Sequence, residues 1–364
     1  MSRFHKLTAV GALIASFALL ASCTSAPEPS ASGSSASEQP PADQPVTITY
    51  VAYGGTGQES QIKAWQEPYT ALNPHVTFAN TSPPDPAQVK AQVEAGQVTW
   101  DMVTTAPYLA NQNCGTLYEE LNVPDLDLSQ FDEGSMGKCH ITDFRYALIF
   151  AYNADSYPDP AKAPSKVADY FDTKNFPGKR GIVPGIQDGI LEWALMADGV
   201  APADLYPLDI DRAFAKWDTV KADTIFAANP GALLEAMTSG QVDMWLQVSA
   251  RSQVALDNGL KLTPVWDKTL SSADGIAIPK GSKNKEAVEK FMSFLVKPEQ
   301  SQKMSELSGT APANNLAKPN LPENGAKVNA FGEANTGERI PISSEYWSEN
   351  FNTVSERFTT WLNG

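Results

Sequence analysis

The chain has 364 residues, a formal net charge of −15, 42% hydrophobic residues and three cysteines. Single cores stop growing at about 250–300 residues, so more than one core-forming unit is expected. The acidic balance argues against nucleic-acid binding, three cysteines are too few for a disulfide-stapled scaffold, and His5, His75 and His140 leave little for metal sites or His-based triads.

Arg3 and Lys6 give a positive start, and Leu7 to Ser22 then runs without a charge. That stretch is short for a spanning helix, which needs about 20 residues, and fits a signal-peptide core. It ends in Leu20-Ala21-Ser22-Cys23, small residues before a cysteine with Leu three positions upstream. This resembles the bacterial lipobox, which implies lipidation of Cys23 and its exposure as the mature N-terminus. An ordinary secretory cleavage site is the alternative. Residues 24–45 are Ser, Pro, Ala, Gly and polar or acidic residues, with too little apolar surface to order themselves. They read as a flexible tether over 23–45. Loss of Arg3 and Lys6 with the leader takes the charge from −15 to −17. The folded part, from Val46 onward, is expected to work outside the cytoplasm, anchored to the membrane. Disulfides persist there, and Cys114 and Cys139 most simply pair; a catalytic thiol is the alternative.

The folded part alternates strand and helix signals. Val46 to Ala52 is β-rich and ends in Tyr53-Gly54-Gly55-Thr56-Gly57. Ile62, Trp65 and Tyr69 mark a following helix, which Pro68 should bend or end. Val76-Thr-Phe is a second strand, and a helix after Pro86 stops at Gly96. Trp100 to Thr105 is a third strand, broken at Ala106-Pro107-Tyr108. Tyr146 to Tyr152 is a longer apolar strand, and Gly181-Ile-Val a short one. Ile190 to Met196 is a helix closed by Gly199. Ile210, Ala213, Phe214 and Trp217 form one apolar helical face, and Leu233, Leu234 and Met237 another. Val242 to Leu246 and Gly275 to Pro279 are strands. Val288, Phe291, Met292 and Leu295 mark a helix, and Pro298 starts the next. Such alternation argues for α/β domains with mostly parallel sheets, whose ligands sit at the carboxyl ends of strands.

The order of several segments carries a resemblance. They include Trp100-Asp-Met-Val, Asp172-Thr-Lys-Asn-Phe-Pro-Gly-Lys-Arg180, Leu191-Glu-Trp-Ala-Leu-Met-Ala-Asp-Gly199, Ser239-Gly-Gln-Val-Asp243 and Gly275-Ile-Ala-Ile-Pro-Lys-Gly-Ser-Lys. From about residue 46 to the end, the chain resembles the extracellular solute-binding proteins of ABC importers, in their spermidine/putrescine-binding branch. The resemblance implies a two-lobe periplasmic-binding-protein-like type II fold, each lobe a mostly parallel sheet flanked by helices. One lobe would hold 46–143 and 275–325, the other 146–270 and 326–364, with hinge crossings near Arg145 and Asp274. It also implies a disulfide after the Trp-Asp-Met-Val strand, in agreement with pairing Cys114 to Cys139. A monomer without cofactor or catalytic metal is expected, partnered by a membrane permease and a small solute.

A polyamine site needs carboxylates at the amine ends and aromatic faces along the methylenes. The resemblance places Asp274 as the amine-binding acid, Tyr53 as the aromatic of the first loop and Thr105 as a hydroxyl of the second. Gly55 lies beside Tyr53 in the first turn, and Tyr108 extends the second loop. Asp188 is a second carboxylate or a helix N-cap. Arg251 contacts a lobe or holds a ligand carboxylate, and Trp245 reads as core rather than ligand stack. The acidic pair of the branch is reduced here to Asp188, and Val248 and Ser272 stand at positions where it is aromatic. A shorter diamine, another organic cation, or a solute of both charges therefore stays open, as does a lipid-anchored sensor of the same fold. No Gly-x-Ser-x-Gly, His-Glu-x-x-His or Cys/His ligand spacing points to an enzyme.

Overall fold

The computed structural model of the protein describes residues 44–132, 134–333 and 335–364. Cys23, the signal segment and the tether lie outside the described residues.

The amino-terminal half begins with β1 (Val46–Val51), α1 (Gly55–Gln61), a π-helical stretch (Ile62–Gln66) and α2 (Glu67–Leu72). Pro68 neither ends nor breaks this run. It sits in the first turn of α2, where a missing N–H is tolerated, and the wider π turns precede it. Next come β2 (Val76–Thr81), α3 (Pro86–Glu94), β3 (Met102–Thr105) and α4 (Pro107–Gln112). A long strand, β4 (Ile141–Asn153), then leads into the other half. There follow β5 (Arg180–Ile182), α5 (Ile190–Ala197), α6 (Ile210–Asp218), β6 (Thr224–Phe226), α7 (Pro230–Thr238), β7 (Met244–Val248) and α8 (Ser249–Asp257). A second long strand, β8 (Leu262–Ala277), returns to α9 (Lys285–Leu295), α10 (Pro298–Ser308) and β9 (Ala311–Pro312). The chain ends with α11 (Glu323–Lys327), β10 (Glu338–Pro341) and α12 (Ser344–Asn363).

The strands join one sheet in the order β2-β1-β3-β8-β4-β7-β5-β6, with β10 on β8 and β9 on β4. Pairing is parallel toward each end of this path and antiparallel at its centre, where β4 and β8 run side by side. These two strands carry the chain between the halves.

Each half has its own core. In the first, Ile48, Tyr50, Trp65 and Tyr69 pack with Phe291, Met292 and Leu295 of α9; Tyr69 and Phe291 lie edge to face at 5.0 Å. In the second, Trp193, Trp217 and Trp347 bring α5, α6 and α12 together. The second half's sheet is covered on both faces. Along β4, Leu148, Phe150 and Tyr152 enter the Trp193 core, while Ala147, Ile149 and Ala151 enter a core with Leu233, Met237 and Trp245. This explains the unbroken apolar run of β4: a strand buried on both faces loses its polar alternation. Trp245 is fully buried there. Cys114 and Cys139 form a disulfide with Cα atoms 5.5 Å apart.

The long β8 is the main departure from the sequence reading, which placed a strand only at Gly275–Pro279. Its earlier part, Leu262 to Asp274, mixes Pro264, Asp267, Lys268 and Ser residues. It is held extended by pairing with β4 and β10, not by its own pattern.

Candidate functional site

The carboxyl ends of β1, β3, β5 and β7 converge on the middle of the β4–β8 ribbon. β1 ends at Tyr53-Gly54-Gly55. Gly54 turns the chain with φ 78°, and a Cβ there would meet Ser82 Oγ at 3.0 Å. This turn leaves Tyr53 61% exposed at the cleft wall, with Gly55 as the first residue of α1. β3 ends at Thr105, which is buried and paired with Gly275 of β8. Tyr108 follows on α4. Its ring is buried and packs against Phe351 of α12 at 4.9 Å.

Register sets the floor of the cleft. Phe144 of β4 lies opposite Asp274 of β8, and Tyr146 opposite Ser272. The Tyr146 hydroxyl donates to Asp188 Oδ1 at 3.3 Å. Asp188 sits in the loop between β5 and α5, one residue before Gly189, the residue that precedes the helix. It folds back over Gly185, where a Cβ would fall 2.3 Å from Asp188 Oδ2. A third acid, Asp143, is buried in β4, accepts from the Phe144 N–H at 3.0 Å and from Gln61 Nε2 at 3.4 Å.

The three acids share an environment that resists their charge. Burial, and then the charge of Asp188, pushes Asp274 up to about 7. Burial raises Asp188 to about 6, the Tyr146 hydrogen bond opposing it. Burial and the nearby Asp274 carry Asp143 well above the usual carboxylate range. The phenols of Tyr108 and Tyr146 rise as well, through burial first and then through these acids, and the charges of the three acids act on the exposed Tyr53. Tyr53 feels all three acids and Tyr108, so these side chains are neighbours in space. Among the described residues, no Lys, Arg or His contributes to the shifts of Asp143 or Asp274. Desolvated carboxylates attract a cation strongly.

Arg251, exposed on α8, lines a cavity of about 320 Å³ with Tyr53, Gln61, Phe144 and Thr310. The cavity is walled by α1 and α10 on one side and α8 on the other. Thus Tyr53, Tyr108, Asp188 and Asp274 meet around the ribbon, Thr105 is held beside it with its side chain toward Tyr118, Gly55 serves the turn that presents Tyr53, and Arg251 stands across the adjoining cavity. Asp143, Tyr146 and Gln61 were missed by sequence reasoning. An acid inside the β-rich Ile141-Thr-Asp-Phe144 was the available signal for Asp143. Among the described residues no group of three or more His, Cys, Asp or Glu is placed to hold a metal ion.

Paired α/β halves, two crossing strands and a charged cleft at the strand ends define a two-lobe solute-binding protein of an ABC import system. The chain belongs to the family of bacterial extracellular solute-binding proteins, whose model matches residues 64–330. It is 29% identical over 325 residues to the gamma-aminobutyric acid-binding protein of Pseudomonas aeruginosa, covering 87% of this chain and 91% of that one. The spermidine/putrescine-binding periplasmic protein of Salmonella typhimurium is 26% identical over 46% of this chain and 47% of its own length. A solved GABA receptor superposes with TM-score 0.80 and 30% identity, over 87% of this chain and 98% of the receptor. AgtB from A. tumefaciens, solved with agropinic acid, gives TM-score 0.73 and 28% identity over 87% and 99%. The relatives are transport proteins rather than enzymes, and their family places the chain outside the cytoplasm. They support a solute binder without supporting spermidine or putrescine specifically.

Proposed function

We propose that the cleft captures a small solute carrying a protonated amine and a carboxylate, of the ω-amino acid type. The amine would sit among Asp274, Asp188 and Asp143 against the rings of Tyr53 and Tyr108, and the carboxylate would face Arg251. One observation carries this reading: three desolvated acids surround one end of the cleft, while an exposed arginine lines the cavity that adjoins it through Tyr53. Bidentate pairing suits Arg for a carboxylate, and ring faces suit an alkylammonium. The names of the GABA-binding relatives point the same way.

A diamine or polyamine is the second reading, favoured by the number of acids. Replacing Arg251 separates the two. Arg251→Ala should weaken a zwitterion and leave a diamine unchanged or tighter. A thermal-shift panel of GABA, putrescine, spermidine, betaines and small anions tests the proposal, since a ligand of the folded state raises the melting temperature. No shift with GABA alongside a shift with putrescine would replace the first reading by the second.

In the same proposal, lobe one holds 46–143 and 275–325, lobe two holds 146–270 and 326–364, and the ribbon at Arg145 and Asp274 is the hinge. Solute bridging the lobes would favour a closed form that a permease recognises. A diacylglyceryl group on Cys23 and the 23–45 tether would keep the monomer at the membrane surface.

A further inference from the structure

Along β4, Phe144 and Tyr146 face the cleft, and Arg145 between them points to the opposite side of the ribbon. Behind the ribbon lies a second cavity of about 490 Å³. Its walls come from both halves. Asp132, Asn314, Asn315 and Lys318 flank residues of the first core, Phe131 and Ala313, while Phe331 and Arg339 flank Ala330 and Ile340 of the second-half cores.

The chemistry of this cavity is cationic. The guanidinium groups of Arg145 and Arg339 both stack on the Phe331 ring, at 4.9 and 4.6 Å from its centroid. Arg145, with a side chain only 12% exposed, is held by Asp132 at 2.5 Å and by the Pro312 carbonyl at 2.7 Å. Arg339 repels it, and the charge of Arg339 also reaches Asp132. Among the described residues, the side chains of Arg339 and Lys318 make no hydrogen bond and no ion pair; the Arg339 guanidinium has its ring contact alone at close range. A guanidinium held over a ring, with its N–H groups unpartnered, has those donors left for an acid group. Glu333 is the other carboxylate on the wall, so three cations face two acids.

We infer that this cavity is a second binding site, for a small oxyanion, held by Arg339 and Lys318 with Arg145 as the buried end of the cation row. Carboxylate and phosphate share the chemistry, so both are tested. Because the walls belong to both halves, occupancy is linked to the setting of the hinge and, reciprocally, to solute binding.

The test titrates the full chain with inorganic phosphate and, separately, with malonate, at fixed ionic strength in chloride, so that screening stays constant. At least one anion should bind with millimolar or tighter affinity. Arg339→Ala and Lys318→Ala should each weaken it fivefold or more, and Arg339→Lys should recover part of the loss. Both residues are exposed, so the variants should fold. The titrations use protein without added amine or amino acid, and this keeps the result independent of whether any solute binds in the cleft. Absence of binding by both anions, or binding that survives Arg339→Ala together with Lys318→Ala, overturns the inference.

Discussion

The Tyr146 hydroxyl on β4 donates to Asp188 Oδ1 at 3.3 Å, tying the crossing ribbon to the loop that precedes α5. Tyr146 lies opposite Ser272, two residues from Asp274, so the bond brings a loop acid toward a ribbon acid. Asp274 responds: the charge of Asp188 is second only to burial in raising it. In the proposed function these two acids would hold the amine end of the solute. We expect Asp274→Ala to weaken an amine-bearing ligand at least tenfold, since truncating one member of a buried charge pair costs about 2–5 kcal/mol. Calorimetry with the ligand found by thermal shift reads this, and unchanged affinity removes Asp274 from the site.

The raised acids also set the pH dependence of binding. An ammonium pairs with ionised carboxylates, and Asp274 and Asp188 shed their protons only near 7 and 6. Binding below those values must expel protons, so affinity should rise as pH climbs from 5.5 to 7.5 and then level off. The nearby groups are Asp143, Tyr53, Tyr108 and Tyr146, none of which supplies positive charge. Tyr146→Phe removes the bond that holds Asp188 down and should move the rise to higher pH. Calorimetry in buffers of different ionisation enthalpy counts the protons released; a flat profile contradicts the placement of the amine.

Glu192 gives a stability effect of the opposite sign. It is fully buried on α5, where Oε1 accepts from the Tyr206 hydroxyl at 2.8 Å and from Trp347 Nε1 at 2.9 Å. Burial raises it to about 7 against the bonds that favour its charge. A carboxyl raised in the folded state keeps its proton where the unfolded chain has lost it. Its contribution is therefore fully present below its ordinary range, near 4.5, and is lost as pH rises through about 7. Glu192→Gln cannot ionise, so its melting temperature relative to the parent should increase from pH 5 to pH 8. Parallel curves for the two proteins would contradict this.

How much of this was legible in the sequence varies with the source of the order. β1, β3, α5 and α9 carry their own signals, because their apolar residues follow the period of the element. α5 is buried along its whole length, so it reads as an apolar run with one acid, and that acid proved to be the Glu192 hub. Most of β8 was illegible, because its polar residues are extended by partners contributed from elsewhere in the chain. Within the site, Asp274 and Tyr53 were reached through the family resemblance, and Asp188 by its place just before a helix. Asp143 and Tyr146 did not, since only the bulged pairing of β4 with β8, at Thr142/Phe144, decides which of their neighbours face the cleft. Arg251 was visible as a residue after a strand, but what it faces depends on α10, some 50 residues further along.

The Cys114–Cys139 bond bears on the same cleft through α4. Cys114 follows that helix by two residues, and Cys139 is buried beside Tyr118 two residues before β4. The bond closes a separation of 25 residues, and the chain-entropy model assigns such a loop roughly 3 kcal/mol. Cys114→Ser with Cys139→Ser should therefore lower the urea midpoint and, because the unfolded chain becomes less compact, steepen the slope. It should also loosen α4, which carries Tyr108 against Phe351 and so joins the first half to α12. Amide exchange at residues 107–112 should quicken in the double variant beyond what the global loss of stability explains. Exchange that follows the global loss alone would confine the bond to holding the chain together, with no part in presenting Tyr108.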